Sequence, residues 1–171
     1  MVLINSTFNS IFVFLGLIGM VSKSLNRIQY VNKLSCLMST IYFPYDSYLE
    51  IKKYKRFTFI PHHIIALLIS YVFYFTNDIK IIKSGPILLF CAEGTSLLLN
   101  LRIMLKNNNK LTKNIDSTFL FIYLFLRNMI MTPILYTLRY NKLLWYSWLL
   151  IFVMSNVWGL KWYKNIIKYY N

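Results

Sequence analysis

The stretch FIPHHIIALLISYVFYFT, residues 59–76, runs for its whole length without an Asp, Glu, Lys or Arg. A run of roughly 18 to 20 apolar residues is what a helix needs to cross the hydrocarbon core of a bilayer. A strand of a membrane barrel would instead alternate polar and apolar residues over about ten positions. Residues 59–76 therefore predict a membrane-spanning α-helix, because a helix satisfies its backbone hydrogen bonds within one segment.

The composition of the whole chain leads to the same class. The 171 residues are 57% hydrophobic, 18% aromatic and only 14% charged, whereas about a quarter of the residues in a soluble domain are charged. So much apolar material exceeds what the core of a small soluble domain can bury. We predict a single all-α domain over residues 1–171, a polytopic transmembrane helical bundle of about six spans around a central cavity.

Six apolar runs define the predicted spans. They cover residues 8–21, 34–51, 59–76, 86–105, 118–138 and 143–163. Pro61 and Pro86 are expected in first helical turns, where a missing N–H costs little. Pro44 and Pro133 lie inside their runs and are expected to kink or break them.

The net charge of +14 does not indicate nucleic-acid binding, because the Lys and Arg residues cluster in short connections between the apolar runs. Such clusters are typical of membrane-flanking loops. With six spans, the side that holds both termini carries 11 Lys and Arg residues and the other side carries 7. This bias predicts cytosolic termini and a cytosolic KKYKR loop at residues 52–56.

Few ionisable side chains lie inside the spans, and such residues are costly in lipid and usually face the bundle interior. We expect them to converge on one cavity; they are Asp46, His62, His63, Glu93 and Arg127. In the fourth run Glu93, Ser96 and Asn100 share one helix face through their i, i+3, i+7 spacing. A functional cavity and a purely structural pairing of Glu93 with Arg127 or a histidine both remain open. The candidate substrate-binding residues are Asp46, Ser96, Asn100, Arg102, Arg127 and Asn156.

The paired histidines have three interpretations: a metal site, a polar cap at the membrane interface, or a proton-transfer site. Adjacent helical residues point about 100° apart, so both rings cannot easily aim at one ion. We therefore expect no metal and no cofactor. Histidine titrates near neutral pH and serves as a general base, so His62, His63 and Glu93 are the candidate catalytic residues. We expect the cavity-facing ring to lie near Glu93 or Asp46, and its neighbour to meet an adjacent helix or the interface.

Several short motifs together resemble one known family. They are IYFPYDSYLE (41–50), PHHII (61–65), EGTSLLLNLR (93–102), FLRNMIMTP (125–133) and Asn156 with Trp158. Their order and spacing resemble the TLC domain, which ceramide synthases, TRAM proteins and a ceroid-lipofuscinosis protein share. The resemblance implies a bundle of six or more helices around a lipid-accessible cavity. It also implies work on lipids in an endomembrane or the plasma membrane, and we expect the endoplasmic reticulum or another endomembrane.

Within that family the chain departs from the ceramide synthases. In those enzymes the run that follows the paired histidines carries a His-Asp pair and a second Asp three residues later. Residues 92–96 here read AEGTS, so the second acid is missing, which favours the non-synthase TLC-domain proteins. We expect a protein of lipid metabolism or homeostasis that binds membrane lipid in its cavity and influences membrane lipid composition. The alternative is an N-acyltransferase acting on acyl-CoA and a long-chain amine, with Arg102 near the CoA phosphates. A TRAM-like helper in membrane insertion is a third possibility, and whether the protein is an enzyme stays open.

Overall fold

The computed structural model describes residues 2–54 and 60–170, the side chains of residues 2–4, 50, 53 and 54 excepted. All regular secondary structure in these residues is helical. The helices are α1 (Val2–Val21), α2 (Leu25–Tyr54), α3 (Ile60–Phe75), α4 (Ile79–Asn107), α5 (Lys113–Leu124), α6 (Met131–Thr137) and α7 (Lys142–Tyr170). A π-helical turn, Phe125–Ile130, joins α5 and α6 into one continuous helix. Residue 59, where the third run begins, and Lys55 and Arg56 of the KKYKR segment lie outside the described residues.

The described residues thus form six helical units, which confirms the predicted all-α bundle. Three units in this part of the chain are long and apolar enough to cross a membrane: α4, α5–α6 and α7. Helices α1 and α3 are apolar but shorter. Helix α2 has 30 residues and is more polar, since it carries Asp46 and two lysines near its end.

The six units pack as a closed ring in the order α1, α2, α3, α7, α5–α6 and α4, with α4 again beside α1. Helix α2 also touches α4 across the ring. Successive helices run in opposite directions, so the start of α1, the end of α7 and the loop 108–112 lie at one end, here called the terminal face. The loops 22–24, 76–78 and 138–141 lie at the opposite face. Polar side chains that point inward from several helices are thereby brought together.

Helices α2 and α4 begin earlier than the apolar runs indicated, and the prediction that Pro86 lies in a first turn is wrong. Pro86 sits well inside α4, which begins at Ile79. The Asp78 carboxylate starts this helix by accepting the backbone N–H groups of Lys80 at 2.8 Å and Ile81 at 3.4 Å. Lysine is a good helix former, so the helix continues past the hydrophobic segment. Pro61 is the second residue of α3, in its first turn as expected.

The internal prolines do not break their helices. Pro44 lies within a continuous α2, and Pro133 lies in α6, just after the π-helical turn. There the Met131 N–H bonds the carbonyl of Leu126, five residues back. The local irregularity near Pro133 is therefore a π-helical turn, a common accommodation of proline and of functional positions in membrane helices.

Helices α1 and α4 approach each other unusually closely. A Cβ atom added to Gly19 would lie 2.5 Å from Cγ of Pro86, and one added to Gly16 would lie 2.9 Å from the Pro86 carbonyl oxygen. Small residues at membrane helix contacts permit this kind of backbone approach. The contact holds α1 against α4, and Asn5 and Asn9 of α1 face the interior of the ring.

A hydrogen bond ties two loops together at the opposite face. The Tyr140 hydroxyl donates to Asp78 Oδ2 at 2.7 Å. This bond lowers the pKa of Asp78. Desolvation, reinforced by the Asp78 carboxylate, raises the pKa of Tyr140 to about 12.

Candidate functional site

A polar cavity of about 230 Å³, here called the polar chamber, lies inside the ring toward the terminal face. Seven of the predicted site residues line it: Asp46, His62, His63, Glu93, Ser96, Asn100 and Arg127. They come from α2, α3, α4 and the π-helical turn. Costly polar groups of four helices thus share one interior space instead of facing lipid.

His63 is held between a carboxylate and a hydroxyl group. Its Nε2 lies 3.3 Å from Asp46 Oδ2, and its Nδ1 lies 2.8 Å from the Ser47 hydroxyl. His63 is 7% exposed, and its ring stacks on Phe43. Asn5 donates to the other Asp46 oxygen at 2.8 Å. Because a hydroxyl both donates and accepts, this arrangement accommodates His63 in its neutral and its protonated form.

The neighbouring ring of His62 points elsewhere, as adjacent helical positions require. The two ring centroids are 5.9 Å apart with a 55° angle between their planes. His62 meets the edge of Trp158 at 5.5 Å, and its Nδ1 atom is buried without a hydrogen-bond partner. The geometry agrees with the expectation for the pair: His63 lines the chamber beside Asp46, and His62 meets Trp158 of the adjacent helix α7. His62 lines the chamber as well, so both rings reach it.

Glu93 and Arg127 lie near the middle of the bundle. Glu93 is midway along α4, about 20 Å from either end at 1.5 Å per residue. Arg127, 6% exposed, donates to Thr95 Oγ1 at 2.9 Å and to the Ala92 carbonyl at 3.2 Å. Within the described residues, no carboxylate lies within 4.0 Å of Arg127 and no hydrogen bond involves the Glu93 carboxyl group. Arg127 donates to neutral acceptors, so the direct Glu93–Arg127 ion pair is absent. That pair was one of the two structural pairings considered for Glu93, the other being with a histidine.

A second cavity, here called the apolar cavity, continues from the chamber toward the opposite face. Its volume is about 90 Å³, and most of its wall is apolar, including Phe73, Leu88 and Trp148. Four residues border both spaces: Phe43, His62, Glu93 and Arg127. The site is thus divided into a polar and an apolar compartment that meet in the middle of the bundle.

Two predicted site residues lie outside the chamber. Arg102 pairs with Asp116 near the terminal face, with Nε 2.6 Å from Oδ1 and Nη2 3.0 Å from Oδ2. Arg102 is nine positions after Glu93, which places it about 13 Å further along the helix. Asn156 exchanges hydrogen bonds of 3.1 and 3.3 Å with Asn128, which links α7 to the π-helical turn.

Two asparagines of the chamber were not predicted as site residues from the sequence. Asn5 and Asn9 of α1 line the chamber, and Asn9 is 2% exposed. Their i, i+4 spacing on a largely apolar helix was the available signal, because such positions share a face. In the described part of the chain, no three His, Cys, Asp or Glu side chains come together as a metal site would require.

Comparison with known proteins tests the resemblance. The family model TRAM_LAG1_CLN8, the TLC domain, matches residues 3–168. No curated protein and no solved structure matches the chain. The family match covers nearly the whole sequence and includes every residue of the polar chamber. The chain therefore belongs to the TLC-domain (TRAM/LAG1/CLN8) family of membrane proteins.

Proposed function

We propose that the protein binds a membrane lipid across the junction of the polar chamber and the apolar cavity, and thereby influences the lipid composition of its membrane. The observation that carries this proposal is the shared wall formed by Phe43, His62, Glu93 and Arg127. A lipid has a polar headgroup joined to an apolar chain. The chamber suits the headgroup and the apolar cavity suits part of the chain, since apolar ligand surface is stabilised by an apolar wall.

The polar atoms of the chamber favour one kind of headgroup. Three buried acceptor atoms there have no hydrogen-bond partner: Asn5 Oδ1, Asn9 Oδ1 and, in its Nε2-protonated tautomer, His62 Nδ1. Buried polar atoms are normally hydrogen-bonded. Arg127 already donates to Thr95, Ser155 and the Ala92 carbonyl, whereas these acceptors have no donor. A headgroup with hydroxyl or amine donors would satisfy these acceptors better than a phosphate would.

The membrane and the orientation belong to the same proposal. We place the protein in the endoplasmic reticulum or another endomembrane with both termini cytosolic, supported by 11 Lys and Arg residues on that side against 7 on the other. In this orientation the chamber lies toward the cytosolic side. Tags at the two ends, probed with protease in sealed vesicles, test it. Protection of either tag contradicts the orientation.

Lipid analysis of the purified protein tests the binding function. Ala66 of α3 lines the apolar cavity, so Ala66→Phe should fill it and reduce the amount of co-purified lipid. Ile64 of the same helix is 53% exposed on the outer surface, which makes Ile64→Phe the matched control. The protein is purified in mild detergent, its monodispersity is checked, and the lipids are extracted and quantified by mass spectrometry. Equal retention of lipid by both well-folded variants would contradict the proposal.

The Asp46–His63–Ser47 arrangement favours a second candidate, an N-acyltransferase. In that reaction the amine nitrogen bonds to the thioester carbonyl carbon, the C–S bond breaks, and the amine proton passes through a base to the CoA thiolate. His62, with its unpartnered Nδ1, is the base in this scheme, and the fully engaged His63 positions the substrate.

An amide-formation assay separates the two candidates. The purified protein in lipid is incubated with acyl-CoA and a long-chain amine, and the amide product is measured. Product that disappears in His62→Ala supports the transferase. Retained lipid without product in the wild-type protein supports the binding function alone.

A further inference from the structure

A second polar site lies at the terminal face, between the ends of α4, α5 and α7. This terminal-face pocket has a volume of about 390 Å³ and shares no lining residue with the polar chamber or the apolar cavity. The function proposed above does not use it. Its walls hold Arg102, Lys106, Asp116 and Lys168.

One carboxylate of the pocket, Asp116, is already paired. Asp116 is 2% exposed and accepts both hydrogen bonds from Arg102 and one from the Trp162 indole N–H at 2.6 Å. The guanidinium group also lies over the Trp162 ring, 4.7 Å from its centre. The opposite charges of Arg102 and Asp116 therefore compensate each other, and the pair forms one wall of the pocket.

Two positive charges remain uncompensated. Neither Lys106 nor Lys168 has a carboxylate within 4.0 Å among the described residues. Lys106 Nζ lies 5.5 Å from the centre of the Tyr169 ring, at the rim of the pocket. The pocket thus presents a net charge of about +2, which favours an anionic ligand in a partly enclosed space.

The carboxyl end of α4 repels an anionic ligand only weakly, because its last carbonyl groups are hydrogen-bonded. Asn109 adopts a left-handed conformation with φ 54°. Its N–H bonds the Lys106 carbonyl at 3.1 Å, and the Lys110 N–H bonds the Leu105 carbonyl at 2.9 Å. This pattern is a Schellman motif, which satisfies the last carbonyl groups of a helix. The side-chain amides of Asn109 and Asn165 add neutral hydrogen-bonding groups to the pocket wall.

We propose that the terminal-face pocket binds a phosphate group through Lys106 and Lys168. Lysine ammonium groups are compact donors that bind phosphate as point charges. A lipid headgroup and a soluble phosphate share this chemistry. Tyr169 and Tyr170 line the pocket at the end of a spanning helix, a position where aromatic residues meet the headgroup layer. This placement favours the phosphate of a membrane lipid.

Binding of short-chain phosphatidic acid to the full-length protein in detergent tests the proposal. Diacylglycerol of the same chain length serves as the uncharged comparison, and inorganic phosphate is the soluble arm. Phosphatidic acid should raise the thermal unfolding midpoint, because a ligand that binds the folded state stabilises it. Lys106→Gln and Lys168→Gln should each weaken binding about fivefold, in keeping with the usual contribution of one lysine near an anionic lipid. The double variant should lose binding.

Lys164→Gln is the matched control, because this substitution removes the same charge. Lys164 lies one turn before Lys168 on α7 and does not line the pocket. It should bind phosphatidic acid like the wild-type protein. Binding of phosphatidic acid but not of inorganic phosphate identifies the lipid as the source, and binding of both identifies a general phosphate site. Absence of binding in both arms overturns the proposal. Equal weakening by Lys164→Gln and Lys168→Gln overturns it too. Neither result bears on lipid retention in the Ala66→Phe experiment.

Discussion

Replacing Gly19 by alanine tests how closely α1 packs on α4. The added Cβ atom would lie 2.5 Å from Pro86 Cγ and 2.6 Å from Pro86 Cβ, whereas carbon atoms prefer separations of about 3.5–4.0 Å. The proline ring is rigid, so the two helices must separate by about 1 Å to relieve the contact. Overpacking of this kind costs about 1–3 kcal/mol, and the better helix propensity of alanine offsets about 0.5–1 kcal/mol. Gly19→Ala should therefore lower the free energy of unfolding by about 1 kcal/mol, and by at most about 2.5 kcal/mol.

Gly94 provides the matched control, because a Cβ atom added there meets nothing within 4 Å. Gly94→Ala keeps the helix-propensity gain without the steric cost, so it should raise the free energy of unfolding by about 0.5–1 kcal/mol. Both variants and the wild-type protein are unfolded in detergent micelles, with tryptophan fluorescence as the signal. The two transitions should move in opposite directions. A Gly19→Ala protein as stable as Gly94→Ala would refute the close α1–α4 contact.

Three further substitutions test other contacts. Thr95→Val removes the hydroxyl that accepts from Arg127 Nε and should lower the free energy of unfolding by about 0.6–2 kcal/mol, as for other hydrogen bonds between membrane helices; an unchanged unfolding curve would mean that this bond contributes nothing. Asp116→Asn leaves the Arg102 charge without its partner and should cost about 1–3 kcal/mol in the same unfolding assay, while a neutral result would contradict the buried pairing. Tyr140→Phe should lower the melting temperature between about pH 5 and 9. The pKa of Asp78 is lowered in the folded protein, so the stability that this group contributes is present above its ordinary pKa of 3.8 and is lost at lower pH. The pKa of Tyr140 is raised, so the stability that it contributes is present below its ordinary pKa of 10.0 and is lost as the pH approaches about 12. Melting curves across this range should therefore converge with those of the wild-type protein at both extremes, and a constant difference would contradict the Asp78–Tyr140 bond.

The fold class was readable from the sequence because a bilayer restricts what a chain can do. Long apolar runs such as residues 59–76 have to be helical in lipid, where no water satisfies the backbone. Helix ends were less well predicted, as at Ile79 and Pro86 of α4. Hydropathy marks the hydrocarbon boundary, and a helix continues past it wherever side chains such as Asp78 cap it and its residues favour helix.

Much of the candidate site was also predictable, for a similar reason. Ionisable groups at mid-membrane depth avoid lipid, so Asp46, the two histidines, Glu93 and Arg127 were expected around one interior space, where the structure places them. Their roles in lipid binding or catalysis remain predictions.

The partner of each polar group was decided only by the tertiary structure. Arg127 binds Thr95 and a backbone carbonyl instead of Glu93, and Arg102 binds Asp116 at the terminal face. A sequence determines how deep a residue lies along its span, through the rise of about 1.5 Å per residue. It does not state which helix lies beside that span or how each helix is rotated about its axis. Those two variables depend on side-chain packing between helices far apart in sequence, as at Gly19 and Pro86, and they select the contacts that each polar group finally makes.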